Sequence, residues 1–341
     1  MKKILSPALI LLAAVLSSGC GNGKAEEKSG GRELSIGVFI PGVMSGSPIY
    51  EMLAEGTKKA AEDFGAGGRA PQVTVIEGGF NQAEWESQVT TLAASGAYDL
   101  IVSSNPSLPA IVSSVSAKFP AQKFLLLDGE LDGNPGVYTL RYNQREQAYM
   151  AGYIAALASL EAGAAKKLGL VAAQEYPAMN NIILPGFLEG ARAADPGFEV
   201  DFRIVGNWFD AAKAAELAAA LIREGARVLL PIAGGAGAGV VQAASGAGAK
   251  LVWFDVNGYA IQPGTVIGSA ILRQDKAAYE KVTLYLKGTL PFGKAEVAGT
   301  ADGYVDFVDD DPLYISSASP AIREKQAVLT ARLRSGELRL D

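Results

Sequence analysis

Acids, amides and aromatic rings in this chain gather at one kind of place, just after a short apolar run. Ser47 and Tyr50 lie in "PGVMSGSPIY", behind the run that ends at Ile40. Asn81 follows "QVTVIEGGF", Asn105 follows "LIVSS", and Tyr142 ends "VYTLRY". Farther on come Gln174 and Tyr176 after "KLGLVAA", Trp208 in "GNWFD", Gly234 after "RVLLPIA", Asp255 in "KLVWFDV" and Arg273 after "GSAIL". Such side chains make hydrogen bonds and ring faces, which is what gripping a small molecule needs. They do not make a catalytic set. The chain has 0 histidines, which removes Ser-His-Asp and Cys-His chemistry, histidine metal ligands and a histidine pH switch. No carboxylate pair or metal-ligand spacing stands out, and neither a metal nor a cofactor is expected. "GGAGAG" (234–239) lacks the spacing of a dinucleotide fingerprint and reads as a turn.

Each of these residues has a plainer reading. Tyr50 can turn back onto its own helix, and Trp208 can be packing, with Asp210 a helix cap. Asp255 can be a turn former, and Arg273 can face either the cleft or solvent. Asp128-Gly129 reads as turn chemistry. Trp253 reads as core and Phe209 as core or rim.

The elements that would position these residues alternate apolar strands with amphipathic helices. Strands are expected at 34–40, 72–78, 100–104, 123–129 and 137–143, with helices at about 48–64, 82–95 and 107–118. A long helix over 145–160 leads to a second set of strands at 167–173, 198–205, 227–233, 250–256 and 265–271. Continuous apolar strands separated by helices indicate parallel sheets covered on both faces. The pattern occurs twice, so the expected fold is α/β with two lobes, the ligand lying in the cleft at the carboxyl ends of the strands. The first lobe is expected to hold 34–144 plus about 275–310. The second is expected to hold 145–274 plus about 311–341, including a last helix at 319–334.

The first residues look like an export signal. Lys2 and Lys3 precede the apolar run Ala8–Leu16, which is too short to span a bilayer, and "SSGC" leads into Cys20. Cys20 is the 1 cysteine of the chain, so it makes no internal disulfide, and lipid attachment gives it a role. Residues 21–33 read as a flexible tether. With 30 Lys+Arg against 36 Asp+Glu the net charge is -6 and no basic stripe appears, which argues against nucleic acid as a partner.

Several stretches resemble the basic membrane protein family, whose best-known type is the purine nucleoside receptor. They are "YDLIVSS" (98–104), "FPAQKFLLLDG" (119–129), "EQAYMAGYIAAL" (146–157), "PGFLEGARAADP" (185–196), "GNWFDAAKAAELA" (206–218) and "GAGAGVVQAA" (235–244). The resemblance covers nearly the whole body. It implies the type I periplasmic binding-protein fold, a substrate-binding lipoprotein of an ABC importer, and no enzymatic activity. It also implies a monomer held to the cell envelope by its lipid, facing the periplasm or the outside, with permease and ATPase subunits as partners.

By the same resemblance, Trp208 falls where the family places an aromatic against the base. Asp255 falls on the acid that holds sugar hydroxyls, and Gly234-Gly235 on a glycine turn. The nucleoside-binding D-x-S-F-N segment is not kept. Its Asp falls on Gly46, its Phe on Ile49 and its Asn on Tyr50, while the family's Lys falls on Leu272 and its Gly-Phe on Asn105-Pro106. A kept acid and ring with a changed entrance imply a wider planar ring bearing a polyol, as in the riboflavin-binding branch. Riboflavin would then be transported ligand, with a purine nucleoside the alternative. A receptor for a membrane sensor and a lipid-anchored NAD-dependent enzyme are the other function classes.

Overall fold

The computed structural model describes residues 33–340; the export signal, Cys20 and nearly all of the tether lie outside them. The first half runs β1 (Ser35–Ile40), α1 (Pro48–Gly65), β2 (Gln72–Glu77), α2 (Gln82–Ser95), β3 (Leu100–Ser104), α3 (Leu108–Lys118), β4 (Lys123–Leu127) and β5 (Val137–Tyr142). The second runs α4 (Gln144–Glu161), β6 (Lys167–Ala172), α5 (Leu184–Ala194), β7 (Glu199–Ile204), α6 (Ala211–Arg223), β8 (Val228–Ile232), α7 (Gly237–Gly246), β9 (Lys250–Asp255) and β10 (Val266–Leu272). The chain ends with α8 (Gln274–Leu286), β11 (Ala295–Ala298), β12 (Val305–Phe307), α9 (Pro312–Ser317) and α10 (Pro320–Arg334).

Two sheets of six strands result, in the orders β11-β5-β4-β3-β1-β2 and β12-β10-β9-β8-β6-β7. All pairings are parallel except β10 with β12. The first sheet shows why its strands are apolar throughout. Ile36, Val38 and Ile40 of β1, with Leu125 and Leu127 of β4, point into one core, while Phe39, Phe124 and Leu126 point into another with Trp85 and Val112. Successive side chains face opposite sides of a strand, and both sides here are covered by helices.

Three chain crossings join the lobes. The first leaves β5 into α4, which packs on α5 and β10 of the second lobe. The second leaves β10 into α8, which returns to pack on α1 and β4. The third runs from β11, paired with β5, to β12, paired with β10. The return to the second lobe therefore comes before Val305, not near 310 as the sequence pattern suggested. Residues 301–308 ("ADGYVDFV") supply the three-residue β12, and its pairing is with the second sheet. β11 was not foreseen; four residues of "AEVA" are too short to show a period.

The crossings are bonded to one another. Asn143 N–H donates to Ala298 O at 2.8 Å, Arg273 N–H to Tyr304 O at 2.8 Å, and Thr300 N–H to Glu146 Oε2 at 2.7 Å. Asn143 also caps α4 through its side chain. The crossing helix α4 lies close against α5: a β-carbon on Gly152 would fall 2.0 Å from Phe187 O, so only glycine permits this approach.

Candidate functional site

The carboxyl ends of both sheets hold the candidate residues. In the second lobe Tyr176, after β6, and Trp208, after β7, form an aromatic pair with centroids 6.4 Å apart and planes tilted by 39°. Trp208 also lies against the turn after β8. Gly234 there has φ +54°, and a β-carbon on it would come within 3.1 Å of Trp208 Cε3. Ala236 N–H donates to Trp208 O at 3.0 Å, which fixes the loop from the other side. The indole remains 41% exposed. It is thus a ring held in place with part of its surface still in water, unlike a core tryptophan.

Asp255 closes β9 in the left-handed region, with φ +71°. Asp128 does the same after β4, with φ +53°. Aspartate tolerates this region better than most residues. Both acids are deep-set yet only partly covered. Burial raises Asp128 to a pKa of about 7, with the charge of Asp255 adding to the shift and Arg141 opposing it. Arg141 bonds Glu130 at 2.9 Å, so its charge is shared. Burial raises Asp255 to about 6, moderated by a hydrogen bond from Gln147. Gln147 Nε2 donates to Asp255 Oδ1 at 3.1 Å and to Ala270 O at 3.0 Å, which orients the carboxylate from the crossing helix. The charge of Asp255 thus reaches Asp128 across the lobes, and hydrogen bonds donated to a carboxylate favour its ionised form.

In the first lobe Tyr50 folds over its own loop. Its hydroxyl donates to Pro41 O at 3.1 Å and accepts from Asn105 Nδ2 at 3.3 Å. Its ring lies beside Gly42, and burial raises its pKa. Asn105 Oδ1 accepts from Ser107 N–H at 2.8 Å. Ser47 is the N-cap residue of α1 but makes no side-chain cap bond.

Other expected residues are packed inside, bonded elsewhere or exposed. Tyr142 is corrected from lining residue to core: it is 0% exposed, and its hydroxyl donates to Gln274 Oε1 at 3.0 Å. Gln274 also accepts from Ser104 Oγ and donates to Ile49 O, tying α8 to β3 and α1. Asn81 is likewise committed elsewhere. Its Oδ1 accepts from Ala83 N–H and its Nδ2 donates to Glu84, so both ends of the amide serve the first turn of α2. Arg273 is exposed at the second crossing with Asp275 3.8 Å away, and Gln174 is exposed after β6. Asp210 caps α6 through Lys213 N–H, Trp253 is half-buried, and Phe209 lies on the surface.

Asp128 and Gln147 are the residues that sequence reasoning missed. A signal for Asp128 was present. "KFLLLD" (123–128) and "KLVWFD" (250–255) share a lysine, four apolar residues and an aspartate. They close the fourth strand of each lobe, so Asp128 is the counterpart of Asp255. Gln147 carried no signal, because its partner comes from 108 residues away.

Two α/β lobes of mostly parallel strands joined by three crossings define the type I periplasmic binding-protein fold. Residues 33–338 match the family described as ABC transporter substrate-binding protein, PnrA-like, and the chain belongs to that family. It is accordingly a substrate-binding protein and not an enzyme.

The chain is 22% identical to basic membrane protein D of Borreliella burgdorferi, over 89% of this chain and 86% of that one. It is 23% identical to a CD4+ T-cell-stimulating antigen of Listeria innocua, over 69% of this chain and 66% of that one. Similarity to an ABC transporter nucleoside-binding protein, BmpA of Lactococcus lactis, is 28% but spans only 42% of this chain and 39% of that one. Among solved structures, a solute-binding protein of an ABC transporter system from Aeropyrum pernix superimposes with a TM-score of 0.76 at 22% identity, over 90% of this chain and 93% of that one. Among the described residues, no helix is long and apolar enough to cross a membrane.

Proposed function

We propose that the chain captures riboflavin in the interlobe cleft and delivers it to a membrane permease powered by an ATPase. The observation that carries this reading is Trp208: a partly exposed indole, braced by Tyr176 and the Gly234 turn, in a cleft that also holds Asp128 and Asp255. A planar ring laid on the indole gains about 0.5–1.5 kcal/mol per aromatic contact beyond the area it buries. A polyol tail supplies the O–H donors that two acids accept, and hydrogen bonds to an ionised acceptor are the stronger kind. From the first lobe, Asn105 would offer the ring edge the second hydrogen of the amide that bonds Tyr50, with Ser47 on the loop just before Tyr50. Gln174 and Arg273 stay at the margin of the site.

A purine nucleoside is the second reading. It is favoured by the Lactococcus relative named as nucleoside-binding, and it too combines a planar ring with vicinal hydroxyls. Titration of the purified protein with riboflavin, adenosine, guanosine and inosine, followed by flavin and tryptophan fluorescence, separates the two. Submicromolar quenching by riboflavin alone is expected. Tight nucleoside binding without a flavin response would overturn the first reading in favour of the second.

The same proposal places the protein on the cell envelope through lipid on Cys20. Cys20→Ser is expected to move it from the membrane to the soluble fraction, and membrane retention of that variant would remove the lipid anchor from the proposal.

A further inference from the structure

Phe80 and Phe209 hold equivalent places in the two lobes. Each follows the second strand of its lobe, β2 or β7, and each stands immediately before a helix cap, Asn81 of α2 or Asp210 of α6. Their rings stand in solvent, 81% and 80% exposed. A single exposed apolar residue needs no explanation. Two at matching positions, at the carboxyl ends of equivalent strands, call for one.

The backbone carrying each ring is bonded in place. In the first lobe Gly79 N–H donates to Gly42 O at 2.9 Å, and Trp85 Nε1 donates to Gly79 O at 3.0 Å. Met44 N–H donates to Glu77 Oε1 at 2.7 Å, which ties the end of β2 to the loop that leads to Ser47 and Tyr50. In the second lobe Asn207 Oδ1 accepts from both Phe209 N–H, at 3.0 Å, and Asp210 N–H, at 2.7 Å. Trp208, next in sequence to Phe209, is the braced ring of the site. Both phenylalanines are therefore presented by ordered turns, each continuous with the part of the site on its own lobe.

The strand orders say where these turns move. All three crossings leave from the β5/β11 and β12/β10 edges, and β2 and β7 are the opposite edges of their sheets. Five strand spacings of about 4.8 Å place those far edges roughly 24 Å from the crossing edges. A rotation of one lobe on the other, about an axis at the crossings that runs across the strand order, would displace the β2 and β7 strand ends more than any other strand end. Closure therefore brings the mouth of the cleft together at these two turns.

We infer that Phe80 and Phe209 are the outer aromatic lid of the cleft, meeting over a ring-bearing ligand when the lobes close and slowing its release. The inference rests on the cleft reading above and adds two specificity residues to it. Benzyl side chains offer no hydrogen bonds to hydroxyl groups and gain little against an open-chain polyol. Against the face or edge of a planar heterocycle they exclude water and add contact. The lid thus selects ligands that carry a ring.

Two measurements test it. In the first, riboflavin and inosine are released from wild type, Phe80→Ala, Phe209→Ala and the double variant by stopped flow. Each single variant is expected to speed release by about two- to tenfold, with an unchanged melting temperature, since neither ring is packed. The double variant is expected to lose less than the product of the two, because the rings share one contact. Unchanged release, or effects that multiply fully, overturns the lid while leaving the Trp208 site standing. In the second, Phe80→Cys and Phe209→Cys are combined in a Cys20→Ser background, where no native thiol remains. A short bismaleimide is expected to join them, faster with riboflavin or inosine present. Failure to cross-link in any condition overturns the lid. Cross-linking in a protein that binds none of the compounds keeps the lid and removes the ligand assignment.

Discussion

The two lobes repeat one plan and fill it differently. Both close the fourth strand with a left-handed aspartate, and both end the second strand with an exposed phenylalanine before a helix cap. The second lobe adds a braced ring, Trp208 between Tyr176 and the Gly234 turn, with its acid oriented by Gln147. The first lobe spends its aromatic hydroxyl on itself, Tyr50 to Pro41 and Asn105. Under the proposed function this difference divides the labour: the second lobe would receive the ring before closure, and the first would contribute an acid and an already satisfied polar edge on closure.

The sharpest way to break this contrast is Trp208→Ala. With the prepared ring gone, affinity is expected to fall by more than tenfold, or about 1.4 kcal/mol and beyond. Because the indole is 41% exposed, the melting temperature is expected to change little. An unfolded variant would show Trp208 to be a packing residue and the lobes to be more alike than they look.

A mid-sized effect is expected from the acids. Asp128 titrates near 7 and Asp255 near 6, against 3.8 in an unfolded chain. Between those values the folded protein keeps protons that the unfolded chain has lost. The unliganded protein is therefore expected to lose stability as pH rises from about 4 to about 7, with no further loss above that. Asp128→Asn is expected to raise the melting temperature at pH 8 and leave it unchanged at pH 4. Ligand hydroxyls would favour the ionised acids, so affinity is expected to rise with pH until both free acids are ionised, above about 7. An affinity that is flat from pH 5 to 8 would remove the acids from ligand contact.

The smallest effect is expected from Tyr50→Phe. Its hydroxyl already has a donor and an acceptor within its own lobe, so its loss should weaken binding by about threefold at most, the scale of a partly exposed hydrogen bond. A loss as large as that of Trp208→Ala would mean that Tyr50 releases Pro41 and turns to the ligand, and the division of labour would be reversed.

Much of this arrangement was legible in local pattern. Strand positions through β10, and the helices through α4, follow apolar runs and caps, and they agree with the structure to within a residue or two at most ends. Trp208, Gly234 and Tyr176 stand at carboxyl strand ends, and in a parallel sheet these ends line one edge. Asp128 was legible too, but only by laying "KFLLLD" over "KLVWFD" and taking the repeat seriously.

What the sequence by itself determined is the alternation of elements, the doubling of the lobe and the absence of histidine chemistry. These follow from side-chain type and period, which are properties of neighbours along the chain. Only the tertiary structure decided that β11 and β12 part to different sheets, that Tyr142 turns inward to Gln274, and that Gln147 reaches Asp255. Each depends on contacts between residues far apart in sequence, 132 positions for Tyr142 and 108 for Gln147. A strand-end side chain can face the cleft or the core with the same local backbone. Which one it faces is set by what packs behind it.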